Sequence, residues 1–174
     1  MDMNRLTERV QEALVSARER ATSQGQQQIE PEHLLVALLD QENSTARTMI
    51  DRAGVKADSL LDRAKKEAGR LPKVSGAGEP TPGPRVNRVL IAAEDEAKKL
   101  KDDFVAVEHI VLALIEESGS TGRLLRDAGL SRDKFLAAMH EVRGNKRVTS
   151  QNPEATYQSL EKYGRDLTEM ARKG

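Results

Sequence analysis

The chain has no cysteine and no tryptophan, and aromatic residues make up 2% of its 174 positions. Without thiols there are no disulfides, no thiolate metal ligands and no cysteine nucleophile; the composition fits a reducing compartment. With so few rings the core must be aliphatic, and bases would find little to stack on. Net charge is lacking as well, since 28 Lys and Arg balance 28 Asp and Glu. A nucleic-acid binder would carry a basic excess or stripe, so no nucleic acid is expected as a partner. The longest apolar runs are six residues, far too short to cross a bilayer, and no signal peptide opens the sequence. No membrane association is expected, and the chain reads as cytoplasmic.

What is present is a repeat. Ile29 to Leu39 is echoed at Val105 to Ile115, with His33 meeting His109 76 positions later. The same offset aligns Val10 with Val86, Leu14 with Leu90, Ala17 with Ala93 and Ala21 with Ala97. After a one-residue deletion, Ala53-Gly54-Val55 meets Ala128-Gly129-Leu130. Each copy is then one supersecondary unit that buries its apolar face against the other, and function is to be sought between them.

Within each copy the periodicity predicts four helices. Leu6, Val10, Ala13, Leu14, Ala17 and Ala21 form one stripe, with Thr7 as a cap and Gly25 as a stop. Pro31 suits a first helical position and Glu32 the first turn, so residues 31–41 read as a central helix, apolar nearly all round. Its twin at 110–115 is β-branched enough to pass for a strand, but the Leu and Ala of the first copy decide for helix. Ser44 and Ser120 are candidate caps of the third helices, Gly54 and Gly129 end them, and fourth helices follow at 57–69 and 132–143. Residues 70–84 carry four prolines and read as a linker that cannot be helical. The expected organisation is all-α: repeat one at 4–69, the Pro/Gly linker at 70–84, and repeat two at 85–143. Residues 144–174 add a linker and a helix from Asn152-Pro153 to about Arg172, expected to project from residues 1–143.

Little here looks catalytic. Glu32-His33 and Glu108-His109 are adjacent pairs pointing about 100° apart on a helix, whereas helical metal ligands need spacing of three or four. The plainer reading is that each His lies in the first turn and hydrogen-bonds nearby backbone. No metal, no nucleophile elbow and no phosphate-binding Gly-Lys-Ser/Thr loop is found. What remains is a surface. An aliphatic cleft between the halves, flanked by Thr7, Asp102 and Glu108, can hold an extended apolar segment; equally, these are a cap and two solvated carboxylates.

The double repeat with Glu-His opening an apolar helix in each copy resembles the N-terminal domain of the Clp family of AAA+ unfoldases. Asn4-Arg5-Leu6-Thr7, Arg70 to Gly76 and Arg147 to Glu154 resemble the ClpB-type disaggregase branch, and Leu160 to Thr168 looks like the segment leading into a first ATPase domain. The resemblance implies two pseudo-symmetric four-helix repeats and a non-catalytic module that engages exposed apolar segments of unfolded or aggregated proteins in an inter-repeat groove. Thr7, Asp102, Glu108, Ala92 and His109 match the family's substrate-handling or groove positions. The full-length protein it implies is a homohexamer working with an Hsp70-type chaperone system, its ATP and Mg held by ATPase domains outside this chain, while this piece is a monomer without cofactors. An adaptor-docking surface is the alternative, as is phospho-arginine recognition at Glu32 and Glu108, as in ClpC-type relatives.

Overall fold

A computed structural model describes residues 2–76 and 78–157. The expected all-α architecture is what forms. Repeat one contains α1 (Glu8–Ser23), α2 (Pro31–Leu39), α3 (Thr45–Arg52) and α4 (Ala57–Gly69). Repeat two contains α5 (Pro84–Lys99), α6 (Val107–Ile115), α7 (Ser120–Asp127) and α8 (Arg132–Arg143). Thus α5 begins on Pro84, the last residue assigned above to the linker, because proline's fixed φ and missing N–H suit a first helical position.

All nine residues of α2 and all nine of α6 are buried. These two helices pack against each other and against the remaining helices of their own repeats, so the core is one aliphatic mass built on Leu34, Leu35, Leu38, Ile110, Leu112 and Leu114. Each such side chain contributes about 1.5–3 kcal/mol by leaving water. Among the described residues Phe135 is the one large ring in the set of largest fully buried side chains.

Helix ends set the geometry that matters later. At Gly54 (φ 88°) and Gly129 (φ 95°) the chain turns left-handed, and Val55 N–H and Leu130 N–H reach back to Ile50 and Leu125 carbonyls. This six-to-one closure ends α3 and α7. The same closure ends α1 and α5, through Gly25 in the first copy and Lys101 (φ 59°) in the second. There Gln26 N–H and Asp102 N–H donate to Ala21 and Ala97, each at 2.9 Å. Residues 26 and 102 are thereby delivered to matching places beneath α2 and α6.

Three expectations are corrected. Ser44 caps α3, accepting from Arg47 N–H at 3.1 Å, but Ser120 is the first residue of α7; extended Gly119 takes the cap position, and the Ser120 hydroxyl donates instead to Glu32. The linker, read as non-helical through Pro84, gives that last residue to α5, and it also forms a short strand. Thr81–Pro82 (β2) pairs in parallel with Gln28–Ile29 (β1), a register too short to leave any alternation in the sequence. The stretch after α8 does not project at its start. Residues 153–157 are helical, and Glu154 is 0% and Tyr157 2% exposed, because the segment folds back over the starts of α1 and α6. The rest of the helix expected to reach Arg172 lies outside the described residues.

Candidate functional site

The repeats meet at two equivalent junctions. Before α2, β1 pairs with β2: Thr81 N–H donates to Gln27 O at 3.1 Å and Gly83 N–H to Ile29 O at 3.0 Å. Before α6, a parallel bridge joins Leu6 and Val105, with Thr7 N–H on Val105 O at 3.0 Å and Val105 N–H on Arg5 O at 2.8 Å. Each junction therefore brings together the start of a central helix in one repeat and the start of the first helix of the other.

In each, the histidine closes the helix start. Glu30 N–H donates to His33 Nδ1 at 2.9 Å, and Ala106 N–H to His109 Nδ1 at 2.8 Å. With Nδ1 accepting, the proton sits on Nε2, which donates to Gln26 Oε1 in the first junction and, at 2.7 Å, to Asp102 Oδ2 in the second. Both nitrogens of each buried ring are thus engaged in hydrogen bonds, which supports the plainer reading of these residues over acid-base chemistry. Burial, the largest influence, lowers the His33 pKa, Glu32 partly opposing it. Among the described residues no three His, Asp or Glu side chains are grouped to hold a metal ion.

Each glutamate of the Glu-His pairs holds a guanidinium of its own chain. At the α2 junction Arg85 reaches Glu32 at 2.9 and 3.3 Å, Glu30 at 3.2 Å and Glu117 at 3.0 Å. Burial raises the Glu30 pKa. Burial also pushes Glu117 upward, but Arg85 and the Gly122 N–H outweigh it and hold that carboxyl below its ordinary value. At the α6 junction Arg143 spans Asp102 with two bonds, at 2.8 and 3.0 Å, and reaches Glu108 at 3.0 Å. Burial works to raise the Asp102 pKa, but hydrogen bonds from His109, Arg143 and Val148 N–H bring it down to about 2.

Thr7, Asp102, Glu108 and His109 are therefore gathered at one junction, although not on an open cleft. All four are buried. The cover is residues 146–157. Val148 N–H donates to Asp102 Oδ1 at 2.9 Å, Gln151 O accepts from Glu8 N–H at 2.8 Å, and Tyr157 OH donates to Glu108 Oε2 at 3.1 Å. Glu154 Oε1 accepts from Thr7 OH at 2.7 Å and from Val107 N–H at 3.2 Å. The two solvated carboxylates of the alternative reading are thus buried and paired, while the cap is real: Thr7 Oγ accepts from Val10 N–H at 3.4 Å. Ala92 lies apart on α5, half-buried against the core.

Sequence reasoning passed over Arg85, Arg143, Glu154 and Tyr157. Periodicity tells which face of a helix is apolar; it does not tell which distant charge a side chain meets. One signal was available. Position 106 is Ala where its counterpart is Glu30, so the second junction lacks a local carboxylate and can take one from elsewhere.

The chain matches the Clp repeat (R) N-terminal domain over residues 5–128. It is 46% identical to the chaperone protein ClpB of Nitratidesulfovibrio vulgaris, an alignment covering 100% of this chain and 21% of that protein. Against the chaperone protein ClpB of Gloeobacter violaceus it is 42% identical, covering 98% and 20%. Among solved structures, the Hsp104 N-terminal domain from Candida albicans superposes with a TM-score of 0.75 at 26% identity, covering 85% of this chain and 97% of that one. The N-terminal domain of ClpV1 from Escherichia coli has a TM-score of 0.70 at 19% identity, covering 86% and 91%, a likeness of fold alone. The chain spans about a fifth of the length of the curated relatives it matches.

Proposed function

Because the chain belongs to the Clp repeat (R) N-terminal domain family, we propose that it is the non-catalytic client-binding module of an ATP-dependent protein disaggregase. Residues 1–143 form the module, and residues 144–174 lead towards an ATPase part that binds ATP and Mg and assembles as a homohexamer. Its clients are unfolded or aggregated proteins passed on by an Hsp70-type system, and their exposed apolar segments are engaged around Thr7, Asp102, Glu108 and His109, with Ala92 on the flank. The observation that carries this reading is the convergence of Thr7, Asp102 and Glu108, from separate elements, on one junction. With few aromatic anchors, one site binds weakly, on the order of 10 µM to 1 mM. Six tethered copies raise the avidity without new contacts.

Adaptor docking is favoured by a different observation. Met3 and Val15, 47% and 45% exposed, lie in a shallow trough along the outer face of α1 with Gln11 and three glutamates. A preformed helical face of this kind suits a folded partner. Phospho-arginine recognition at Glu32 and Glu108 requires the ligand to displace Arg85 or Arg143 from carboxylates that already hold them.

An NMR titration with a permanently unfolded protein decides between these readings. Client capture predicts amide shifts at Thr7, Asp103 and Val107, weakened in Thr7→Ala and Glu108→Gln. One saturable, stoichiometric partner shifting Met3 and Val15 while unfolded protein shifts nothing would move the assignment to adaptor docking.

A further inference from the structure

The segment that covers the α1/α6 junction makes the contacts of a bound peptide. Val148 is fully buried and pairs both ways, its N–H on Asp102 Oδ1 at 2.9 Å and its O on Asp103 N–H at 2.8 Å. Further on, the Glu154 carboxylate sits between the starts of two helices, on Thr7 OH and Val107 N–H. Helix starts leave N–H groups without partners within the helix, and a carboxyl oxygen accepts from them whether or not the group is ionised. One helical turn later, Tyr157 places its hydroxyl on Glu108. The fit is incomplete: Glu108 Oε1 and Glu154 Oε2 are buried without hydrogen-bond partners. Unpaired buried oxygens make docking weaker than its buried area implies.

The other junction places this occupant in context. There a carboxylate also lies at the start of the first helix, and it belongs to Glu30, the residue just before α2; a Cβ on Gly83 would lie 2.2 Å from Glu30 Oε1. At the α6 junction Ala106 replaces that glutamate, and the carboxylate comes from a segment outside the repeat.

We propose that residues 148–157 are an exchangeable resident ligand of the α1/α6 junction, and that the seat they vacate takes a client segment of the same chemistry. That segment offers an apolar residue whose backbone N–H and C=O are both free to pair, then a carboxylate, then an aromatic hydroxyl one helical turn later. This rests on the client-binding reading and names the substrate class it takes. The tethered strap competes at an effective concentration on the order of millimolar, so apparent client affinity falls by the fraction of seats it leaves open.

The direct experiment uses the whole chain and a fluorescent peptide with the sequence of residues 147–157. Wild type, whose seat is filled, binds the peptide at least about tenfold more weakly than Glu154→Ala/Tyr157→Ala, in which the strap has lost its anchors and the seat is intact. Adding Thr7→Ala removes the gain, as does Ala in place of the peptide's Glu. Equal binding by wild type and the double variant overturns the proposal. So does no binding by a double variant whose amide spectrum remains that of the fold.

A second arm locks the strap. Glu8 and Gln151 are joined by a backbone hydrogen bond and the chain has no cysteine, so Glu8→Cys/Gln151→Cys makes one controllable disulfide. Oxidation lowers binding of a reduced, carboxymethylated unfolded protein at least about tenfold, and reductant restores it. Undiminished binding after oxidation overturns the strap while leaving client capture on another face. If neither form binds the unfolded protein, the client-binding reading fails, and the peptide still decides whether the strap exchanges.

Discussion

At the start of α2 a guanidinium 26% exposed faces three carboxylates of the repeats, whereas at the start of α6 a guanidinium 5% exposed faces two, and a further carboxylate arrives from beyond the repeats. The Gly83–Ile29 and Thr7–Val105 backbone bonds correspond, as do the His33–Glu30 and His109–Ala106 closures, so the duplication has kept the frame, although Thr81 N–H reaches Gln27 O where Arg5 N–H turns to Asp2 O. Differences at aligned positions account for the different chemistry, among them Gln26 against Asp102, Ala68 against Arg143, Gln41 against Glu117, Glu30 against Ala106, and Gly83 against Thr7. Asp102 brings a charge where Gln26 has none, and a buried charge needs partners. Arg143 and the strap's Val148 N–H provide them. The first junction is completed by the repeats and the linker between them; the second is completed by a segment from beyond them, and that is the physical basis for seeking function there.

The largest test of this contrast is to remove each arginine. Arg143→Ala leaves Asp102 and Glu108 buried without their cation, and should cost about 3–5 kcal/mol in urea unfolding. Arg85→Ala opens a site that water already reaches and should cost less, about 1–2 kcal/mol. A reversed order would show that the first junction, not the second, is the electrostatic keystone.

Acidity separates the junctions next. Burial is the main reason the Glu154 pKa rises to about 7, and Glu108 raises it further, against the lowering effects of Thr7 OH and Val107 N–H. Arg143 and Tyr157 also face this cluster. Raised from 4.5, the group stabilises docking in full below pH 4.5, and that contribution is lost as pH rises through 7. The change is on the order of 3 kcal/mol. Amide shifts of Glu8, Val107 and Val148 followed from pH 4.5 to 8 should report strap release, and Glu154→Gln should flatten the profile. Asp102 has the opposite sign: its contribution is complete above about 3.8 and lost as pH falls towards 2.

The frame was legible because local rules decide it. The fourth helices run over 57–69 and 132–143 as the glycine and apolar spacing indicate, and both histidines bond backbone in the first turn. On sequence the polar trio Thr7, Asp102 and Glu108 flanks the cleft and matches the family's positions, but its burial is invisible there. Burial here depends on Glu154 and Tyr157, which lie 147 and 49 positions from their partners Thr7 and Glu108. Their helix had no counterpart in the repeat, and an unmatched amphipathic stretch reads as one that projects. Ser120 misled for a related reason: a serine at a helix start has a standard local role, and the distant Glu32 took its hydroxyl instead.

The smallest expected effect is the most specific to the comparison. Gly83 has φ −78°, so alanine meets no backbone strain there; what its Cβ meets first is the tip of Glu30, with Gln28 Oε1 behind it. That tip can swing away, but only by giving up its 3.2 Å bond to Arg85, so Gly83→Ala should destabilise by about 0.5–1 kcal/mol. In a Glu30→Ala background, which copies Ala106 of the second junction, the close obstruction is gone and what remains is Gln28 Oε1 at 3.1 Å, the end of a flexible side chain. The same Gly83→Ala change should then stabilise by about 0.4–1 kcal/mol, because alanine narrows the unfolded ensemble. A change of sign across this double-mutant cycle, read by thermal unfolding, means that residue 83 is glycine because residue 30 is glutamate. Additive effects would break that link, and with it the claim that each junction seats one carboxylate at the start of its first helix.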